Sequence, residues 1–118
     1  MKQFDARRFA ADWAAAWNRR DLEAILSLFH DDAVFTSPLA MAIGVSSDGA
    51  MRGKEEIRRY WLKGLALVPD LHFDVAAVYE GVDTLVIAFR NQKGEDRAEI
   101  LRLSDGLVVE GHGTSVAV

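Results

Sequence analysis

The 118-residue chain contains no cysteine and no long apolar run. Without cysteine, a disulfide framework, a thiolate nucleophile and a cysteine-based zinc site are all excluded. The apolar stretches are too short to span a bilayer, and the opening segment M-K-Q-F-D lacks the apolar centre of a signal peptide. We therefore expect a soluble, cytoplasmic protein that does not associate with membranes.

Clustered positive charge is also missing. Lys and Arg number 14 against 18 Asp and Glu, which gives a net charge of −4. The basic pairs Arg7-Arg8, Arg19-Arg20 and Arg58-Arg59 lie in different segments and are diluted by acids. Because phosphate backbones are bound by clustered cations, nucleic acid is not expected as a partner.

The three histidines do not form a metal-binding pattern. His30, His72 and His112 lie too far apart in the chain for a helical or hairpin pair of ligands. His30 is expected at a helix end or in solvent, and His72, which alternates with Leu71 and Phe73, is expected to point out of the core. The sequence predicts neither a metal site nor a cofactor.

The chain is long enough for one domain, predicted over residues 1–118, and half of its residues are apolar. Asp5 is a plausible N-cap, with Phe4 and Phe9 spaced as a hydrophobic staple. The first helix is predicted to run to Asn18. Its apolar face recurs at steps of three and four residues and consists of Phe9, Ala10, Trp13, Ala14 and Trp17.

Two more helices and one short strand follow in the first 69 residues. Asp21 begins a helix of about two turns that extends to Phe29, and a strand over residues 33–36 ends before Pro38. Glycine and serine predict a loop over residues 39–53. The third helix opens at Glu55 and stops at Pro69, with an apolar stripe of Ile57, Tyr60, Trp61, Leu65 and Val68.

The second half of the chain predicts a meander of four strands. They are expected at residues 71–79, 84–91, 97–103 and 107–116, separated by turns that contain glycine. Connections this short require antiparallel neighbours. Helices followed by strands are typical of an α+β domain with helices on one face of a sheet.

Several segments together resemble a known family. They are A-W-N-R-R-D-L-E-A-I-L-S-L-F-H-D-D-A-V-F-T-S-P, M-R-G-K-E-E-I-R-R-Y-W, G-V-D-T-L-V-I-A-F-R-N-Q-K-G and S-D-G-L-V-V-E-G. Over about residues 8–113 the chain resembles the nuclear-transport-factor-2-like superfamily, and within it the SnoaL-like and ketosteroid-isomerase-like groups. The resemblance implies a cone-shaped, cystatin-like fold: a curved, mostly antiparallel sheet wrapped around a long N-terminal helix, with two further helices. It also implies an apolar pocket and a homodimer formed through the convex sheet face. Alternation with Gly111 and Gly113 places His112 on the convex face, unless the last strand is out of register by one residue and His112 serves as a base in the pocket.

The resemblance also bears on chemistry. The ketosteroid isomerases use an Asp base and an oxyanion hole made of a Tyr and a protonated Asp. Their base position falls on Ser37, their tyrosine on Trp13, a supporting aromatic on Trp61 and the protonated acid on Glu99. Serine has no useful basicity without a partner base, so steroid isomerisation by this mechanism is not expected.

The epoxide hydrolases of the superfamily carry an Arg-x-Asp pair on the same strand and a second Asp on the last strand. This chain has Arg97-Ala98-Glu99, which is close to that pair. The second acid falls on Gly113, so the group that would activate water is missing unless the last strand is out of register by one residue.

The candidate polar site lies on the third strand of the meander. Alternation places Arg97, Glu99, Leu101 and Leu103 on one face, and the family alignment makes it the pocket face. A three-residue turn over 93–95 would place Asn91 opposite Arg97 and Phe89 opposite Glu99. Either Glu99 and Arg97 act on a ligand, or they form an ion pair at the sheet edge with no ligand.

Three functions are compatible with these residues. The first is binding of a small hydrophobic or amphipathic molecule in an apolar, aromatic-lined pocket. The second is a cofactor-independent isomerase, cyclase, lyase or epoxide hydrolase that uses Glu99 as acid or base. The third is a dimeric interaction module whose cavity is filled by side chains.

The predicted catalytic residues are Glu99 and Arg97. The predicted substrate-binding residues are Trp13, Trp17, Ser37, Tyr60, Trp61, Phe89, Asn91 and Leu101.

Overall fold

A computed structural model describes residues 4–117 of the chain. Its helices are α1 (Ala6–Asn18), α2 (Leu22–Leu26), α3 (Pro38–Ala42) and α4 (Lys54–Leu67). Its strands are β1 (Phe29–Thr36), β2 (Ala50–Arg52), β3 (Asp74–Glu80), β4 (Thr84–Arg90), β5 (Asp96–Ser104) and β6 (Leu107–Ser115). The predicted α+β class, with a mostly antiparallel sheet and a long first helix, is confirmed.

The predicted starts of α1 and α2 are confirmed by their hydrogen bonds. The Asp5 carboxylate accepts a hydrogen bond from the Arg8 amide at 3.0 Å, and the ring of Phe4 lies 5.6 Å from that of Phe9. At α2, Asp21 accepts from the amide of Ala24 at 3.1 Å. These carboxylates satisfy N–H groups that the first turn of a helix leaves unpaired.

The six strands form one sheet in the order β2-β1-β6-β5-β4-β3. The meander from β3 to β6 is antiparallel throughout, as its short connections predict. β1 pairs with β6 in parallel, which places the first strand beside the last. The concave face carries buried Leu85, Ile87 and Leu101, whereas Tyr79 and Ile100 on the convex face are exposed.

The predicted loop over residues 39–53 is wrong in part, because it holds helix α3 and strand β2. The Ser37 hydroxyl accepts from the amide of Leu39, and Pro38 occupies the first helical position, where no amide hydrogen is needed. β2 pairs with β1. The described residues therefore contain four helices rather than three.

The second helix is shorter than predicted. It ends at Leu26, and Phe29 begins β1 instead of completing a helix face. Phe29 is buried in either case, so the apolar spacing alone cannot distinguish the two. Residues 30–32 belong to β1, whose register with β6 shifts between Phe29 and Val34.

The β4–β5 turn is also longer than predicted. It contains residues 91–95, so Ile87 lies opposite Glu99, and Phe89 lies opposite Arg97. The predicted partners were therefore wrong by two positions, although the face assignment holds because strand alternation has a period of two.

The side chain of Asn91 stabilises the longer turn. Its Oδ1 atom accepts hydrogen bonds from the amides of Lys93 and Glu95, both at 3.0 Å, and Gly94 adopts a positive φ of 74°. Asparagine commonly closes turns in this way. The turn geometry thus depends on side-chain hydrogen bonds that the strand pattern does not reveal.

None of the helices within residues 4–117 has both the length and the apolar character that a membrane crossing requires.

Candidate functional site

A cavity of about 320 Å³ opens beside the β4–β5 turn, between α3 and the segment that precedes β3. Half of the predicted site residues line it: Ser37, Phe89, Asn91, Arg97 and Glu99. It is therefore not filled by side chains in the way that the third hypothesis requires. Glu99 is the buried acid among its lining residues, and residues of the β4–β5 turn also line it.

The other predicted binding residues do not line the cavity, because they pack behind it in the core. The ring centroids of Trp17 and Trp61 lie 5.3 Å apart, and those of Trp13 and Phe89 lie 5.1 Å apart. The expected aromatic lining therefore consists of phenylalanine rather than indole. The predicted residues in this buried set are Trp13, Trp17, Tyr60, Trp61 and Leu101.

Glu99 is the one buried charged or polar residue of the described core, with 8% of its surface exposed. The indole Nε1 of Trp13 donates a hydrogen bond to its Oε2 atom at 3.0 Å. No other side chain within residues 4–117 hydrogen-bonds to this carboxyl. Burial raises the pKa of Glu99 to about 8, against the smaller lowering effect of the Trp13 hydrogen bond.

Arg97 does not pair with Glu99, so the ion pair considered from the sequence is wrong. Its guanidinium contacts Oε1 of Glu95 at 3.0 Å, and the Asn91 amide donates to the same oxygen at 2.9 Å. The Asn91 hydrogen bond, followed by that from Arg97, lowers the pKa of Glu95. Arg97 and Asn91 thus belong to a polar rim organised by Glu95, away from the inner carboxyl.

Ser37 and Tyr60 form a second polar pair at the cavity. The Tyr60 hydroxyl donates to Oγ of Ser37 at 2.8 Å, and burial raises the pKa of this tyrosine. Gly113, opposite Glu99 in the β5–β6 pairing, leaves open the space next to Ser37. The register confirms that the strand opposite Glu99 offers no second acid.

The sequence reasoning missed Phe73 as a wall of the cavity. The Asn18 side chain makes hydrogen bonds to both backbone groups of Phe73. Its Nδ2 atom donates to the Phe73 carbonyl at 3.0 Å, and its Oδ1 atom accepts from the Phe73 amide at 2.7 Å. The Phe73 ring stacks on Trp13 at 5.4 Å and contacts Phe89 at 4.6 Å. The alternation of Leu71 with Phe73 was the signal that could have identified it.

The histidines lie away from the cavity. His30 and His72 are exposed, and His112 lies on the convex face, where Nδ1 contacts the Thr36 hydroxyl at 2.6 Å. Its Nε2 atom contacts Oε2 of Glu110 at 2.7 Å. Residues 4–117 hold no group of three or more His, Asp or Glu side chains suited to a metal ion.

Comparison with known proteins assigns the family. A model of the SnoaL-like domain matches residues 10–111. The chain belongs to the SnoaL-like family. A SnoaL-like protein of unknown function from Burkholderia thailandensis E264 is 36% identical to this SnoaL-like chain, with a TM-score of 0.88 over 95% of this chain and 94% of that one. No curated protein shows significant similarity to this SnoaL-like chain.

Two more distant structures share the fold of this SnoaL-like chain. TerC, co-crystallised with polyporic acid, is 20% identical, with a TM-score of 0.76 over 95% of this chain and 92% of its own. A protein with a ketosteroid isomerase-like fold from Catenulispora acidiphila DSM 44928, in complex with trimethylamine, is 21% identical, with a TM-score of 0.75 over 93% of this chain and 86% of its own. The NTF2-like, ketosteroid isomerase-like architecture expected from the sequence is confirmed.

Proposed function

We propose that this SnoaL-like domain binds a small, mostly apolar molecule in the cavity, with the uncharged Glu99 carboxyl at its inner polar end. The observation that carries the proposal is the position of that carboxyl. Glu99 is buried and lines the cavity, and an indole N–H is the one side-chain hydrogen-bond partner of its carboxyl among the described residues. A buried acid without a cationic partner is costly to ionise, so a neutral ligand suits it better than a charged one.

The dimensions of the cavity support this proposal. A volume of about 320 Å³ lies at the lower end of the range for ligand pockets, about 300–1,000 Å³. Most of the cavity surface is apolar, with Phe73 and Phe89 among its lining residues, and polar side chains of the β4–β5 turn also line it. Binding of small molecules by two relatives of the same fold, TerC and the Catenulispora protein, agrees with it.

The second candidate is an enzyme in which Glu99 transfers a proton. The observation that favours it is a buried acid among the residues that line a cavity. Burial raises the pKa of Glu99 to about 8, and an acid whose pKa lies near neutrality can both donate and accept a proton at working pH. The reaction would be an isomerisation, cyclisation, elimination or hydrolysis without a cofactor. Arg97 would then act from the rim, where it already neutralises Glu95.

Filling the cavity tests the binding proposal. Gly113→Val places a side chain in the space between Ser37 and Glu99, where a Cβ atom would meet no atom closer than 3.6 Å. 2-Acetylnaphthalene serves as an apolar probe, and we expect it to raise the Tm of the unaltered protein. The variant should fold and lose that increase. Gly64→Ala, which adds a methyl group to open space on α4, is the matched control and should keep that increase.

Turnover tests the enzymatic alternative. Small molecules that co-purify with the protein would be identified by native mass spectrometry and incubated with it. Loss of product in Glu99→Gln, with unchanged binding, is expected if Glu99 transfers the proton, because glutamine keeps the acceptor for Trp13 but cannot exchange a proton. Equal product yields from the unaltered protein and the Glu99→Gln variant would show that Glu99 does not transfer the proton.

We also infer that two copies of the chain pair through the convex sheet face. Tyr79 and Ile100 stand on that face with 62% and 38% of their surfaces exposed. Large exposed apolar side chains on a sheet face favour burial against a partner. This inference rests on the family resemblance and on those two exposures.

A further inference from the structure

Three of the four charged residues that line the cavity lie in or beside the β4–β5 turn. We call the polar lining residues of this region the turn cluster: Asn91, Gln92, Lys93, Glu95 and Arg97. Two of them are cations and one is a carboxylate, so the turn cluster carries one net positive charge. The whole chain, in contrast, carries a net charge of −4.

Arg97 keeps most of its hydrogen-bonding capacity unused. Its side chain is 35% exposed and shares the concave face of β5 with Glu99. The Nη2 atom of Arg97 donates to Oε1 of Glu95 at 3.0 Å, and the side chain makes no other hydrogen bond with residues 4–117. A guanidinium has five N–H groups in a planar fork that fits a carboxylate. Arg97 can therefore bind a second carboxylate while it keeps Glu95.

The two residues at the start of the same turn offer further donors. Within the described part of the chain, the Lys93 ammonium has no carboxylate within 4 Å, and the half-buried side-chain amide of Gln92 has no hydrogen-bond partner. Hydrogen bonds from Asn91 and Arg97, and then the charge of Lys93, lower the pKa of Glu95. The charge of Lys93 therefore acts on the same carboxylate as that of Arg97.

The turn cluster is separate from the buried acid of the cavity. Arg97 precedes Glu99 by two residues on β5, which is about 7 Å along the strand. Glu99 is buried, whereas Lys93 and Glu95 are exposed. One ligand can therefore place an uncharged part beside Glu99 and a charged group at the turn cluster.

We propose that the turn cluster binds the carboxylate of an amphipathic ligand, with Arg97 as the main donor and the apolar body of the ligand inside the cavity. The ligand class is an aromatic or aliphatic carboxylic acid in its ionised form. A carboxylate brings one negative charge to a cluster with one net positive charge, so the complex is neutral there. This inference deepens the proposed binding function and rests on it.

The test compares two ligands of nearly equal shape. 2-Naphthoate has a carboxylate, ionised at neutral pH, where 2-acetylnaphthalene has an uncharged acetyl group. Calorimetric titration of the unaltered protein should show naphthoate binding on the order of tenfold more tightly, since a hydrogen bond to a charged group changes affinity by about tenfold or more. This preference should decrease at high concentrations of sodium chloride, because salt screens charges at an exposed site.

Two variants of the turn cluster should change the preference in opposite directions. Arg97→Gln removes the guanidinium and should bring the two affinities to within about twofold of each other. Glu95→Gln removes the carboxylate that competes for Arg97 and keeps an acceptor for the Asn91 amide, so naphthoate should bind about threefold more tightly. A purely structural role of the turn would instead shift the affinities of both ligands in the same direction.

Arg90→Gln is the matched control. Arg90 is an exposed residue at the end of β4, and it pairs with Asp96 at 3.0 Å without lining the cavity. The variant loses the same charge as Arg97→Gln and should keep the naphthoate preference of the unaltered protein.

The outcomes separate this inference from the binding proposal. If neither naphthalene binds the unaltered protein, both are overturned. If naphthoate binds no more tightly than 2-acetylnaphthalene, if its preference persists in Arg97→Gln, or if Glu95→Gln fails to tighten it, the cavity binds ligands but the carboxylate site is overturned. A preference that disappears in Arg97→Gln and increases in Glu95→Gln supports both.

Discussion

At the scale of single residues, two tryptophans one turn apart on α1 have contrasting surroundings. Trp13 donates its indole hydrogen to Glu99, whereas the equally buried indole nitrogen of Trp17 has no hydrogen-bond partner among the described residues. A buried donor without an acceptor destabilises the folded state by about 1–3 kcal/mol. Trp13 therefore contributes a hydrogen bond as well as apolar packing, whereas Trp17 contributes mainly buried apolar surface.

Trp13→Phe removes the hydrogen bond to the Glu99 carboxylate and keeps most of the ring packing. We expect the pKa of Glu99 to rise further above its ordinary value, because that hydrogen bond is what opposes the effect of burial. Titration of ¹³C-labelled glutamate by NMR would measure it. Trp17→Phe is the matched control, since it deletes an indole N–H that contacts no acceptor and should leave the Glu99 titration where it was.

The raised pKa of Glu99 also predicts how stability depends on pH. Folding favours the protonated acid, so its stabilising effect is complete below about pH 4.5 and is lost as pH rises towards 8. The rise in the pKa of Glu99 from 4.5 to about 8 corresponds to as much as roughly 5 kcal/mol in the free energy of unfolding. Urea denaturation from pH 5 to 9 would measure this loss.

Glu99→Gln is the control for that pH dependence. Glutamine accepts the Trp13 hydrogen bond and does not ionise, so the variant should lose less stability across the same pH range and should exceed the unaltered protein at pH 9. Parallel pH curves for the two proteins would contradict a raised Glu99 pKa.

At the scale of elements, the cavity wall depends on a connection between the end of α1 and the segment before β3. Asn18 makes both hydrogen bonds to the backbone of Phe73, at 3.0 and 2.7 Å. No strand ladder holds Phe73, since β3 begins one residue later. The backbone of Phe73 is therefore positioned by one amide side chain, and its ring by the packing against Trp13 and Phe89.

Asn18→Ala should destabilise the fold by about 1–3 kcal/mol, because two partly buried backbone groups lose their partners. It should also weaken binding of 2-acetylnaphthalene by loosening Phe73. Chemical denaturation and titration measure the two effects. Asn18→Asp keeps the acceptor for the Phe73 amide but sets a carboxylate against its carbonyl, so it should not restore full stability.

Gly111 on β6 is closely surrounded by core side chains. A Cβ atom there would lie 2.9 Å from the ring of Phe35 and 3.0 Å from Leu101. Gly111→Ala should lower the free energy of unfolding by about 1–3 kcal/mol through overpacking. Gly64→Ala, in open space on a helix, should instead raise it by up to about 1 kcal/mol. Equal effects at both positions would contradict the packing explanation.

At the scale of the whole molecule, the sequence was sufficient for the α+β class and the antiparallel meander but not for α3, β2 or the cavity. The capping residues Asp5 and Asp21 and the strand alternation were local signals, and each was confirmed. The register of β4 with β5 was not predictable, because the turn depends on side-chain bonds of Asn91. Periodicity showed that Trp61 is buried, but not whether it lines a cavity or packs behind one.

The proposed pairing of two chains is a prediction at this scale. Sedimentation equilibrium at micromolar concentration should give the mass of a dimer. Ile100→Asp adds a charge to the centre of the convex face and should shift the protein to a monomer without changing binding of 2-acetylnaphthalene. Leu62→Asp, at an exposed residue of α4, is the control and should leave the mass unchanged.

The parallel pairing of β1 with β6 has a consequence for folding kinetics. Thr36 lies beside His112, so two segments 76 residues apart must meet before this edge of the sheet closes. Contacts between distant segments slow folding, because the chain must lose loop entropy before it gains them. Ser37 and Gly113 come together by the same encounter, and the ligand site should therefore assemble late, after the local meander has formed.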